Sequence, residues 1–154
     1  MNIIKSEPPM FDLIDAAFHV KGKAVLFCFG DDIYNPLGVA VSKALVAHEN
    51  VHRIQQNGSP LEWWSVYIRS PVFRLAQEIP AHHAEYKEYC AGQPNRNLRR
   101  AYLSDCARRL SSALYGGLIS KDEAKRAIKG KPGEARLVSG HSPLQSLQND
   151  GDRD

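Results

Sequence analysis

At 154 residues the chain is long enough for one real hydrophobic core and too short for two comfortable domains. Its 43% hydrophobic and 24% charged residues are ordinary for a soluble globular protein, and a net charge of +3 argues neither for nor against nucleic acid. No apolar run approaches the roughly 20 residues that cross a bilayer, and Cys28, Cys90 and Cys106, without CxxC spacing, predict free thiols in a reducing compartment and no disulfide framework.

The opening MNIIKSEPPM lacks the basic-then-apolar pattern of a secretory leader, which predicts a protein made and kept in the cytoplasm. Pro8-Pro9 makes these residues an extended lead-in. Phe11, Ile14 and Phe18 recur at helical spacing, so 11–20 reads as a short amphipathic helix, with His19 off the stripe and solvated. After the turn at Lys21-Gly22-Lys23, the run Ala24–Phe29 reads as a buried strand that stops at Gly30-Asp31-Asp32. Residues 33–38 read as a loop or a second edge strand, and Asp31 and Asp32 as a solvated turn. A strand edge beside a catalytic metal would suit pairing with an extended peptide.

Ser42 is a fitting N-cap and Asn57-Gly58 a fitting stop for a helix carrying Ala47-His48-Glu49-Asn50-Val51-His52, a HExxH motif. Residues four apart on a helix lie one turn above each other, so His48 and His52 can aim two imidazoles at one ion. Glu49, one step round from His48, can reach a water at that ion without binding the metal. Two neutral nitrogens plus a carboxylate that accepts the water proton are the parts of a zinc hydrolase. Ala44, Ala47, Val51 and Ile54 form an apolar stripe expected to face the core, with the histidines at its border.

Ser59-Pro60-Leu61-Glu62 has the pattern of a capped helix start, and Leu61, Trp64, Tyr67 and Ile68 then face one way as core. Beyond Ser70-Pro71, the run Gln77–Tyr86 is dense in possible ligands: Glu78, His82 and Glu85 share one helical face. Pro80 fits either a helix start or a kink in a longer helix. A site with two histidines from one helix needs a third protein ligand and an open fourth position. Glu78, Glu85, His82 and His83 are the candidates.

Asn95–Leu114 reads as an amphipathic helix with Leu98, Tyr102, Cys106, Leu110 and Ala113 inward. Arg96, Arg99, Arg100, Arg108 and Arg109 form its outer, solvated face, and no nucleic-acid partner is expected of it. Ser120–Glu123 opens a last helix with a capping box. From Gly130 the chain turns polar and rich in Gly, Pro and Ser, giving a single domain over 1–129 and a tail over 130–154.

HExxH followed by Glu-x-x-Ala on a second helix, here Glu78-Ile79-Pro80-Ala81, resembles the gluzincin metallopeptidases over roughly residues 24–90. The GDDIYNP lead-in and the PAHHAEY run are similar to small metallopeptidases of tailed phages. The resemblance implies an α+β, mostly helical, zincin-like fold with one zinc ion per chain on His48, His52 and Glu78 and with Glu49 as general base. It implies Ala81 as the small residue between the helices, and a peptide or protein substrate. The family often places an acid four residues after the third ligand, where this chain has His82. That departure leaves His82, Glu85, Tyr86 and Tyr34 as candidates for orienting a ligand or holding the developing oxyanion. A structural, virion-associated zinc protein and a peptidoglycan endopeptidase are the alternative expectations.

Overall fold

A computed structural model describes residues 1–130, and the chain there is α+β and mostly helical. Its three short strands are β1 (Ile3–Ile4), β2 (Phe27–Phe29) and β3 (Asp32–Tyr34). The α-helices are α1 (Phe11–Phe18), α2 (Lys43–Gln56), α3 (Pro60–Arg69), α4 (Pro71–Gly92), α5 (Arg96–Leu110) and α6 (Lys121–Lys129). The tail expected over 130–154 lies, Gly130 aside, outside the described residues. No helix among the described residues is long and apolar enough to cross a membrane.

β3 is the middle strand, parallel to β1 with Ile3 opposite Ile33 and antiparallel to β2 with Cys28 opposite Ile33. Gly30 takes φ +62° at the first position of the two-residue β2–β3 turn, where hairpins that match strand twist favour glycine. The six-residue strand expected over Ala24–Phe29 is cut to its last three residues, because β3 offers a register only three residues long. β2 is an edge, but its Cys28 carbonyl already accepts hydrogen bonds from Gln56 Nε2 (2.8 Å) and Trp64 Nε1 (3.0 Å). The strand edge expected to receive a substrate backbone has spent that acceptor on α2 and α3.

α2 begins and ends as its sequence demands: Ser42 accepts from the Leu45 N–H, and Asn57 closes the helix at φ 45°. Its inward face is not the expected one. Ala44, His48, Glu49, His52 and Gln56 are buried, whereas Ile54 is 62% exposed. A buried polar group is stable only when it finds a partner: His48 and His52 face Glu78 and Glu85 of α4, and Gln56 bonds Cys28 and Gly30. Likewise Trp63, Trp64 and Tyr67 form the inward face of α3 while Leu61 is exposed, and Ser59 makes no side-chain cap. α4 runs unbroken through Pro80, so the two ligand-rich stretches lie on two packed helices. Ala81 of α4 is fully buried. In α5, Leu103, Cys106, Ala107 and Leu110 turn inward and Leu98 is exposed; the helix ends at Leu110, short of the expected Leu114, and Ala113 beyond it is exposed.

Two apolar clusters flank the α2–α4 contact. One gathers Phe11, Ile14, Val20, Phe27, Trp63, Trp64 and Tyr67 around α1 and α3, and the other joins Leu75 of α4 to α5 and α6. Trp63 stacks on Tyr67 at 4.7 Å between ring centres, an aromatic pair worth about 0.5–1.5 kcal/mol beyond its burial. Arg74 fixes the end of α3 by donating to the carbonyls of Tyr67 (2.8 Å) and Ile68 (2.9 Å), a cation at a helix C-terminus. Burial, with Glu49 next in order, pushes the Cys28 thiol up to about 12, and burial with Glu85 does the same to Cys106. Both remain protonated at neutral pH and inaccessible. A thiol reagent is therefore expected to modify one cysteine, Cys90, in the native protein and three after denaturation. Rapid native labelling of Cys28 or Cys106 would contradict this packing.

Candidate metal centre

The helix period brings His48 and His52 onto one face of α2, and the facing side of α4 presents Glu78, His82 and Glu85. All five are buried, the least so His48 at 8% exposure. Three of them form a compact donor group. His48 Nε2 lies 3.1 Å from His52 Nε2 and 3.4 Å from Glu78 Oε2, and His52 Nε2 lies 3.2 Å from Glu78 Oε1. Donors held at 2.0–2.1 Å from a tetrahedral ion stand about 3.3–3.4 Å apart. The residues present fit a zinc ion.

The hydrogen bonds on the far sides of the rings fix which nitrogen faces the centre. Glu85 Oε2 accepts from His48 Nδ1 at 2.8 Å and from His82 Nδ1 at 3.0 Å, and a carboxylate can only accept. Gln55 donates its Nε2–H to the Gln77 carbonyl (2.9 Å), so its Oε1 is the atom that meets His52 Nδ1 at 2.8 Å. All three rings therefore carry a proton on Nδ1, and His48 and His52 turn Nε2 toward Glu78. Facing ring nitrogens and a carboxylate call for a positive charge between them. Burial opposes a charge on His48, yet Glu78 and Glu85 outweigh it and lift its pKa to about 10. Burial likewise opposes the charge of Glu78, and His52 and His48 override it and hold that carboxyl well below its usual range.

Glu85 groups with His48 and His82 closely enough to share an ion, but it engages both rings as a hydrogen-bond acceptor. Its contacts with His48 and His82 are hydrogen-bond lengths on a single oxygen, shorter than a ligand–ligand edge. Its other oxygen, Oε1, accepts from Arg109 Nη2 (2.6 Å) and Tyr102 (2.8 Å), with Cys106 Sγ at 3.7 Å. Burial works against this carboxylate, but His48 and His82 keep it ionised and well below the usual range. Arg109, expected on a solvated face, turns inward because a buried carboxylate awaits it. Tyr67, expected only as core, donates to Glu78 Oε1 at 2.6 Å, and burial together with Glu78 pushes its pKa well above the phenol value.

Glu49 is also buried, and burial raises its pKa while His48 and His52 pull the other way. It opens on a cavity of about 360 Å³ that reaches His48, His52, Glu78 and His82 and has apolar walls that include Phe18, Val25 and Trp63. Tyr115 closes one side. The turn that places it needs Gly116, at φ +85°, where a Cβ would sit 2.7 Å from the Pro71 side chain. The candidate tyrosines Tyr34 and Tyr86 do not line this cavity: Tyr34 packs on the aromatic cluster and Tyr86 against α5 and α6. His83 turns away, its Nδ1 2.8 Å from the Ile128 carbonyl. Tyr67, Tyr102, Arg109 and Tyr115 carry no local motif. Only the tertiary contacts bring them in.

Comparison with protein-family models, with curated proteins and with solved structures gives no match.

Proposed function

We propose that the chain is a zincin-like, zinc-dependent metallopeptidase with one zinc ion per chain held by His48, His52 and Glu78. The observation that carries this reading is the group of three donor residues whose nitrogens and carboxylate oxygens lie 3.1–3.4 Å apart, each oriented by a partner behind it, with the Glu49 carboxylate beside them on a cavity wall. Two imidazoles and a carboxylate are the donor set of zinc sites that keep a position open. When bound, the ion supplies Lewis acidity to a substrate carbonyl and acidifies a water. Glu49 accepts the proton of the attacking water at its carboxylate and delivers it to the departing amine nitrogen. Tyr67 holds one oxygen of Glu78 in place, and Gln55 and Glu85 hold the rings of His52 and His48. The apolar cavity walls exclude bulk water and suit an apolar stretch of peptide.

A second reading, a structural zinc protein, draws on one observation: His82 Nε2 is buried without a hydrogen-bond partner, 3.7 Å from Glu78 Oε2. The discriminating experiment is metal content by mass spectrometry on wild type and His52→Ala, followed by hydrolysis of a denatured protein substrate. Close to one zinc per wild-type chain, lost in the variant, together with chelator-sensitive hydrolysis, supports the peptidase. One zinc per chain without hydrolysis favours the structural protein. Absence of zinc from wild type expressed in zinc-supplemented medium would end both readings.

A further inference from the structure

We propose that the cavity beside the metal centre takes a short peptide with a carboxylate next to an apolar side chain, the carboxylate held by the Arg108 guanidinium. The inference rests on the metallopeptidase reading and names a class of substrate for that site. Arg108 lines the same cavity as Glu49 and Glu78 and as the apolar side chains of Phe18, Val25 and Trp64. Of the charged residues on that lining, the two carboxylates are buried and Arg109 is half-buried, whereas the Arg108 side chain is 66% exposed. An exposed side chain that lines a cavity stands at its mouth.

The two arginines are not equally occupied. Arg109 Nη2 donates to Glu85 Oε1 at 2.6 Å and lies 3.2 Å from Cys106 Sγ, and its Nε faces Asp105 Oδ2 at 3.3 Å. Among the described residues Arg108 makes one side-chain hydrogen bond, from Nη2 to Asp105 Oδ1 at 2.6 Å. Asp105 is thus shared between two guanidinium groups. A guanidinium carries its N–H groups in a planar fork, so most donors of Arg108 remain open, and that fork matches a carboxylate.

Size and main chain point the same way. A cavity of about 360 Å³ lies near the small end of ligand pockets, roughly 300–1,000 Å³, which suits a chain end or a short peptide. The β2 edge has already spent its Cys28 carbonyl on Gln56 and Trp64, so less main-chain pairing is left to hold an extended chain. Holding a short peptide then falls to an apolar side chain inside and a charge at the mouth. Glu49 and Glu78 repel a further carboxylate from the interior, which keeps it at Arg108. In a peptide that carboxylate is the C-terminus or an Asp or Glu side chain.

The test is binding, which stands apart from turnover. Trp63 and Trp64, the chain's two tryptophans, both line the cavity and report its occupancy by fluorescence. Three probes are titrated into the full Glu49→Gln chain with zinc supplied: N-acetylphenylalanyl-leucine, its C-terminal amide, and N-acetylphenylalanyl-aspartic acid α-amide. The free acid is expected to bind about tenfold more tightly than the leucine amide, between the worth of an exposed ion pair and that of a charged hydrogen bond. Adding Arg108→Gln is expected to abolish that advantage and Arg108→Lys to reduce it. Tight binding of the aspartic acid amide assigns the site to acidic side chains as well, and weak binding to the C-terminus alone. Equal binding of all three probes, an advantage that survives Arg108→Gln, or no binding at all would overturn the proposal. Acid-selective binding lost in Arg108→Gln, with no hydrolysis of any probe by wild type, would leave the carboxylate site standing and count against the peptidase reading alone.

Discussion

Glu49→Gln is expected to keep one zinc per chain and to hydrolyse peptide bonds about 10²–10⁴-fold more slowly, the range that a positioned general base supplies. The argument starts from placement. Glu49 leaves α2 one step from His48, is 6% exposed, and stands outside the donor group of His48, His52 and Glu78. Burial raises its pKa against the pull of His48 and His52, with the charges of Glu78 and Glu85 adding to the rise. Glutamine keeps the volume and the packing but has no basic oxygen of comparable strength. The fold gains if anything, since burying an unpaired carboxylate costs free energy that an amide largely avoids. The expected signature is thus a zinc-loaded, equally or more heat-stable protein with lost turnover, read by metal analysis, a melting curve and a hydrolysis assay together. Retained turnover would remove Glu49 from the mechanism. Loss of zinc would make it a ligand.

The parts of the site legible in the sequence are those fixed within one helix. His48, Glu49 and His52 follow from a five-residue motif and the helix period, and the ends of α2 from Ser42 and Asn57. Glu78 required a second helix whose relation to the first came from a resemblance and not from spacing alone. Glu85 was legible only as one of several candidates for orienting a ligand, because its partners His48, His82, Tyr102 and Arg109 lie between positions 48 and 109 on three helices. The apolar stripe of α2 misled for a definite reason. Periodicity arguments assume that the buried side is the oily one, and here the buried side is polar because α4 satisfies it, which leaves Ile54 outside. The same assumption placed Arg109 in water. A sequence shows that an arginine is charged, but not that a buried carboxylate lies opposite.

Glu85→Ala follows from that network and is expected to lower stability by about 3–5 kcal/mol, the usual cost of removing one partner from a buried charged cluster. It removes the acceptor of five hydrogen bonds at once, from His48, His82, Tyr102, Cys106 and Arg109. The Arg109 side chain is 33% exposed and lies 3.3 Å from Asp105, so water and Asp105 recover part of its loss and the lower end of the range is the expected one. The histidines have no such relief. Without Glu85 nothing fixes the proton of His48 on Nδ1, and the ring is free to turn its N–H toward the centre. Zinc affinity is then expected to fall about 10–100-fold although every ligand remains. Sequence spacing leaves Glu85 among the candidates for a ligand or an orienting residue; the hydrogen bonds make it the residue that aims the ligands. Urea unfolding of the metal-free protein measures the first effect and a competitive zinc titration the second. Glu85→Gln, which keeps one acceptor oxygen, is expected to fall between wild type and alanine in both. Wild-type stability and wild-type zinc affinity in Glu85→Ala would show that the cluster holds its geometry without this carboxylate, and the account of how the three imidazoles are oriented would fall.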